Sequence, residues 1–243
     1  WPARVGDFSK LVGRFYRHPD TAEFPFAVLT SDGGEMQIQP AVTIGHIGTW
    51  RDFEKWPLRD NRTSTLPDDR LVFRLWQPAI MYRVWQGWKQ LSLAQDLAQE
   101  GKSYHHLMGG CAIAEGDITY GIQLYQSLLS AYIGRLLYSE TSLTLPQLLE
   151  ELSAIKPSES PSPVLDFMGF AISEKGYLAW RKEVTKGGMS PSQITQSLEQ
   201  HALSQEEEKE WTLQLLRQLL SDDLEDSLRA FIQAIPTPSS ALP

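Results

Sequence analysis

The sequence predicts an α+β fold, in which a small antiparallel sheet near the N-terminus packs on helices and a mainly helical C-terminal part follows. Turn chemistry joins two β-type segments early in the chain, and helical periodicity dominates after residue 78. Strands and helices are segregated along the chain rather than alternating, which favours this class over a parallel sheet. With 243 residues, the chain is long enough to bury a core without disulfides or metals.

The first predicted element is an amphipathic helix over residues 2–17. Its apolar residues recur at three- and four-residue spacing: Val5, Phe8, Val12 and Phe15. A β-hairpin follows, because β-compatible residues 24–30 precede the turn sequence Ser31-Asp32-Gly33-Gly34. Alternating apolar residues then continue the sheet, with an interruption at Pro40.

In the middle of the chain, the sequence predicts short elements followed by two long helices. Residues 49–56 favour one or two helical turns, residues 57–69 a polar loop and residues 71–76 a strand. Pro78 suits the first turn of a helix that extends to about residue 100. A second helix is predicted over 117–138, and a third over 144–155 with a capping box.

Four segments are predicted from these patterns. Residues 1–155 form an α+β domain, and the sequence KPSESPSPV at 156–164 is a Pro/Ser-rich linker. Residues 165–235 form a wholly helical subdomain, with helices over 174–186 and beginning near Ser190, Ser204 and Asp222. Residues 236–243 form a flexible tail.

Composition excludes several classes of protein. The formal net charge is -8, and all of it lies in residues 101–243, which disfavours nonspecific binding to nucleic acid. Cys111 is the only cysteine, which excludes an intramolecular disulfide and suits the cytoplasm. No run approaches the roughly 20 apolar residues of a membrane span. No signature of a phosphate loop, a metalloprotease or an α/β-hydrolase is present, and neither a metal site nor a cofactor is predicted.

One polar cluster could carry chemistry. His, Cys and carboxylate side chains are the usual bases, nucleophiles and metal ligands, and four of them lie close together in the sequence: His105, His106, Cys111 and Glu115. These are the candidate catalytic residues of a hydrolase-like or metal-dependent enzyme. The alternative is a structural loop with one buried, hydrogen-bonded histidine and a Cys that acts as a small hydrophobe.

The second candidate site is a segment crowded with tryptophan and arginine. These residue types dominate binding surfaces because they bury large areas and stack on planar groups. The candidate partner-binding residues are Trp50, Arg51, Trp56, Arg59, Arg62, Arg70 and Arg74. Trp85 and Trp88 lie on the apolar face of the predicted helix, which favours a core role for them.

Three functions remain open. The sequence favours a noncatalytic interaction protein (an assembly factor, adaptor or complex subunit) that binds a protein partner through the Trp/Arg-rich surface. The first alternative is the enzyme with its pocket around His105 and Cys111. The second alternative is a nucleic-acid-associated subunit of a ribonucleoprotein, which the net charge disfavours. The sequence leaves the oligomeric state open.

Overall fold

The computed structural model describes residues 3–45, 49, 51, 55, 75–139, 143–167 and 169–235. These residues divide into two compact units. Unit 1 holds the described residues up to Lys55 together with Arg83–Ala131, and unit 2 holds residues 75–82 together with Tyr132–Ile235. The predicted boundary at 156–164 is a different division, and it stays a prediction.

The strands of unit 1 form two small sheets. The strands are β1 (Arg4–Val5), β2 (Lys10–Gly13), β3 (Asp20–Thr21), β4 (Val28–Asp32) and β5 (Glu35–Gln39). Strands β4 and β5 form the predicted antiparallel hairpin, closed by Gly33 and Gly34 at positive φ. Strand β2 lies beside β4, and β1 pairs with β3 in a separate two-stranded sheet. The α+β class is therefore confirmed.

The predicted helix over residues 2–17 is wrong in the part that the structure describes. This segment forms β1 and β2, and both pair in parallel with later strands, Arg4 beside Asp20 and Lys10 beside Val28. The larger sheet is therefore mixed rather than purely antiparallel. Phe8 has a φ of 56° and Gly13 a φ of 106°, and neither conformation fits a right-handed helix.

Two long helices follow, close to the predicted bounds. Helix α1 spans Pro78–Gln99 and helix α2 spans Glu115–Ser139. Within unit 1 they approach closely, because a Cβ at Gly121 of α2 would meet the side chain of Leu91 in α1. The predicted apolar stripe of α2 is buried: Tyr125, Leu128, Leu129, Tyr132 and Leu136.

The predictions for the segment between β5 and α1 are tested at only a few positions. Thr49, Arg51 and Lys55 are helical, whereas the predicted loop over 57–69 lies outside the described residues. Of the predicted strand over 71–76, only its last two residues are described, and they form a bend.

Unit 2 is mainly helical and includes one hairpin. Its complete elements are α3 (Leu145–Ala154), β6 (Val164–Phe167), β7 (Phe170–Ser173), α4 (Glu174–Val184), α5 (Pro191–His201), α6 (Gln205–Leu219) and α7 (Leu224–Ala234). The prediction that everything after residue 164 is helical is wrong at β6 and β7, which pair antiparallel. Ile172 of β7 is fully buried against Trp180 and Leu198, so tertiary packing fixes this hairpin.

Side-chain caps begin the helices of unit 2. Capping boxes open α3 at Thr144, α5 at Ser190 and α6 at Ser204. Helix α7 begins one residue later than predicted, since Asp223 rather than Asp222 accepts a hydrogen bond from the Asp226 backbone.

The Pro/Ser-rich segment is hydrogen-bonded to α6. The indole Nε1 of Trp211 donates to the Ser162 carbonyl at 2.9 Å. The amide of Gln218 donates to the carbonyls of Pro157 and Glu159, each at 2.9 Å. The predicted tail at 236–243 lies outside the described residues. Among the helices that the structure describes, none has the length and apolarity needed to cross a bilayer.

Candidate interaction surface

Strand β2 lies at the edge of the three-stranded sheet, and all four of its residues are exposed. The Lys10 N–H donates to the Ala27 carbonyl at 2.8 Å, which attaches the strand to the chain entering β4. Two large apolar side chains nevertheless stay in solvent, with Leu11 51% and Val12 46% exposed. Exposed apolar residues on a sheet edge are a recognised mark of an interaction site.

The backbone of Leu11 faces away from the sheet. Successive residues of a strand direct their N–H and C=O groups to opposite sides. Because Lys10 bonds toward β4, Leu11 directs both polar groups outward, where no described strand pairs with them. The far side of β5 is occupied instead, since the Ile38 N–H donates to the Ala112 carbonyl at 2.9 Å. One edge of the sheet is therefore covered, and the other has no partner strand within the part of the chain that the structure describes.

Basic side chains flank the open edge. Lys10, Arg14 and Arg17 are exposed and form no ion pair within the described part of the chain. The Arg14 guanidinium lies 5.1 Å from the ring centroid of Tyr16, which is itself 65% exposed. We call the surface formed by Lys10–Gly13, Arg14, Tyr16 and Arg17 the β2 edge.

Two acidic residues of the N-terminal segment, Asp7 and Asp20, are paired with arginines. Asp7 accepts from Arg83 at 3.1 Å, and Asp20 accepts from Arg4 at 3.2 Å. The cations of the β2 edge therefore have no ion-pair partner among the described residues, and the exposed acid that follows the register position of Gly13 is Asp32.

The predicted Trp/Arg surface is only partly described. Arg51 is exposed, as an interaction residue must be. The other predicted partner-binding residues lie outside the described residues: Trp50, Trp56, Arg59, Arg62, Arg70 and Arg74. Trp85 of α1 is buried, which confirms its core role, and Lys89 Nζ lies 3.7 Å from the centroid of its ring.

A partly buried charged cluster beside α1 was not anticipated from the sequence. Burial raises the pKa of Glu23, and the nearby guanidinium groups of Arg83 and Arg4 oppose that rise. Burial also lowers the pKa of Lys89, against the attraction of Glu23. Glu23 Oε2 and Trp88 Nε1 are both buried without a hydrogen-bond partner. Since these residues are far apart in the sequence, no local pattern could have revealed their proximity.

The candidate catalytic residues occupy different environments. His105 and His106 are exposed on the 3₁₀ turn His105–Met108, where His105 packs on Tyr104 with ring centroids 5.1 Å apart. Cys111 is buried, and burial raises the pKa of its thiol to about 11. A thiol with so high a pKa is a poor nucleophile at neutral pH.

Glu115 lies at the start of α2 and is exposed. It lines an open cavity of about 240 Å³ together with Gln95, Ala98, Gln99, Ile118 and Thr119. Neither histidine nor Cys111 lines this cavity. Within the described ranges, no group of three His, Cys, Asp or Glu side chains is placed to hold a metal ion. The catalytic assignment stays a prediction.

Comparison with known proteins adds one match, and it covers the N-terminal part. Residues 1–95 match the family model described as a domain of unknown function (DUF4954). No curated protein and no solved structure matches the chain. The matched residues include the β2 edge and the Trp/Arg-rich segment and end before His105, and they amount to less than half of the chain.

Proposed function

We propose that this protein is a noncatalytic interaction protein, acting as an assembly factor, adaptor or complex subunit that binds a protein partner. The observation that carries the proposal is the β2 edge, where the outer side of the strand pairs with no described strand and Leu11, Val12 and Tyr16 are exposed. The Trp/Arg-rich segment is the second predicted partner-binding site, and Arg51 is its one residue that the structure describes.

The environment of Cys111 supports this function over the hydrolase-like alternative. Its thiol is buried, and its raised pKa keeps it protonated at neutral pH. The proposed setting is the cytoplasm, because a lone cysteine suits a reducing compartment.

Site-specific photo-crosslinking in the native host tests the proposal. A photoreactive phenylalanine analogue replaces Leu11 in one variant, Arg51 in a second and Leu178 in a third. Leu178 is the matched control, because it is 53% exposed and lies on α4 of the other unit. We expect the same partner protein to be crosslinked from Leu11 or Arg51 and not from Leu178. If neither Leu11 nor Arg51 yields a protein crosslink absent from the control, the proposed function is wrong.

A further inference from the structure

The open edge of β2 has the backbone geometry of a strand acceptor. Leu11 directs its N–H and C=O outward, and no described residue satisfies them. A peptide that lies along the edge in an extended conformation would hydrogen-bond to both groups. Its side chains would alternate between the face of Leu11 and the face of Lys10 and Val12.

The basic side chains around the edge favour a peptide that carries acidic residues. Lys10 lies within the strand, and Arg14 and Arg17 follow its end, with no ion-pair partner among the described residues. Leu11 and Val12 supply apolar contact between these cations. The complementary segment has β-branched or aromatic residues in its centre and carboxylates toward its ends.

We propose, on the basis of the interaction function above, that the β2 edge receives an extended acidic segment of a partner protein as an added strand. The strand pairs with Leu11 through its backbone and with Lys10, Arg14 and Arg17 through its carboxylates. An unpaired backbone edge is complementary to a peptide rather than to nucleic acid, which has no matching ladder of N–H and C=O groups.

A second copy of this chain fits the edge poorly. The densest acidic run of the described chain lies in α6, where the carboxylates are on a helix and not on an extended segment. Glu207 there already accepts the hydrogen bonds of the Ser204 cap, and Glu206 pairs with Lys209 at 3.7 Å. A separate partner is therefore the proposed occupant.

Selection from a displayed library of random peptides, each about twelve residues long, tests the inference on the full-length chain. We expect the enriched peptides to be acidic, with alternating β-forming residues. If the library yields only neutral or basic peptides, or none at all, the inference is overturned. A single-stranded oligonucleotide that binds this edge in their place would overturn it as well.

Substitutions at the edge test the geometry with the selected peptide. Leu11→Pro removes the outward N–H, and proline is tolerated where the N–H of an edge strand faces solvent. Leu11→Thr is the control, because it keeps that N–H and the β propensity. We expect binding to weaken about tenfold or more with proline and much less with threonine. Equal binding by the two variants would contradict strand addition.

A charge variant and an exchange measurement complete the test. Lys10→Glu combined with Arg17→Glu should weaken binding of the acidic peptide about tenfold or more, and an unchanged affinity would contradict the charge assignment.

If Leu11→Pro fails to fold, amide hydrogen exchange of the unaltered chain tests strand addition in its place. The bound peptide must slow exchange at the Leu11 N–H. Partner crosslinking from Arg51 without any of these effects would leave the proposed function standing and remove only this inference.

Discussion

The hydroxyl of Tyr125 in α2 donates a 2.6 Å hydrogen bond to the carbonyl of Pro25, a residue one hundred positions earlier in the chain. Burial raises the pKa of Tyr125 well above its usual value, and a hydrogen bond with the Ala41 backbone opposes that rise. Phe26 and Ala41 both adopt positive φ, at 60° and 63°. The phenol therefore joins α2 to the backbone of Ala41 and to the carbonyl that precedes Phe26.

Tyr125→Phe is expected to destabilise the protein by about 1–2 kcal/mol, because it leaves the buried Pro25 carbonyl without its donor. Denaturant unfolding followed by circular dichroism measures this loss. Tyr120→Phe is the matched control, since Tyr120 lies on the same helix and is half exposed. Equal stability of the two variants would show that the hydroxyl has no role in holding α2.

Gly13→Ala is expected to lower stability by about 1–3 kcal/mol and to displace the end of β2. Gly13 has a φ of 106°, and a Cβ there would overlap the Ser31 carbonyl oxygen of β4. Gly116→Ala is the control, because nothing lies near a Cβ at that position of α2. We expect the control to be neutral or slightly stabilising in the same unfolding experiment. A neutral Gly13→Ala would mean that β2 is not held against β4 at this point.

Alkylation of Cys111 separates the interaction function from the hydrolase-like alternative. With a thiol pKa of about 11 against an ordinary 9.0, the thiolate fraction near pH 8 is about one hundredth of that of a free thiol. We expect iodoacetamide to react with the folded chain at least about a hundredfold more slowly than with the chain in urea. Rapid modification of the folded protein would instead indicate an activated nucleophile and would favour the enzyme.

Charge reversal in the Trp/Arg-rich segment tests the predicted partner-binding residues. Arg59→Glu, Arg62→Glu and Arg70→Glu together are expected to abolish capture of the partner identified by crosslinking, because arginine is enriched among binding hot spots. The control variant carries Lys175→Glu, Arg181→Glu and Lys182→Glu, which change the charge equally at exposed positions of α4. Unchanged capture by the first variant, with thermal unfolding equal to the unaltered chain, would exclude this segment from the interface.

The elements that the sequence predicts well are those that local signals define. Pro78 begins α1, and the Ser204 capping box begins α6, as the sequence patterns predict. The Gly33-Gly34 turn likewise follows from the conformations that glycine alone adopts readily. Each of these signals acts within a few residues, so no knowledge of the tertiary fold is needed.

The N-terminal strands could not be predicted in the same way. The pairing of Lys10 with Val28 is nonlocal, and the positive φ of Phe8 accompanies its stacking on Phe26, with ring centroids 5.2 Å apart. The helical spacing of Val5 and Phe8 therefore gave the wrong element. Within Lys10–Gly13 only Val12 is β-branched, so the local sequence carries little signal for a strand.

The buried carboxylate of Glu23 makes stability depend on pH in a direction that a substitution can test. Because the pKa of Glu23 is raised in the folded chain above the ordinary 4.5, its ionisation favours the unfolded state. The contribution of this one carboxyl to stability is therefore fully present below pH 4.5 and is lost as the pH rises through its folded pKa. Glu23→Gln should raise stability at pH 7 and should have little effect near pH 4, where the carboxyl is largely protonated in both states. Urea unfolding of both chains at the two pH values measures the difference, with the exposed Glu115→Gln as control. A loss of stability at pH 7 would instead show that the attraction of Arg83 and Arg4 for the carboxylate exceeds the cost of its burial.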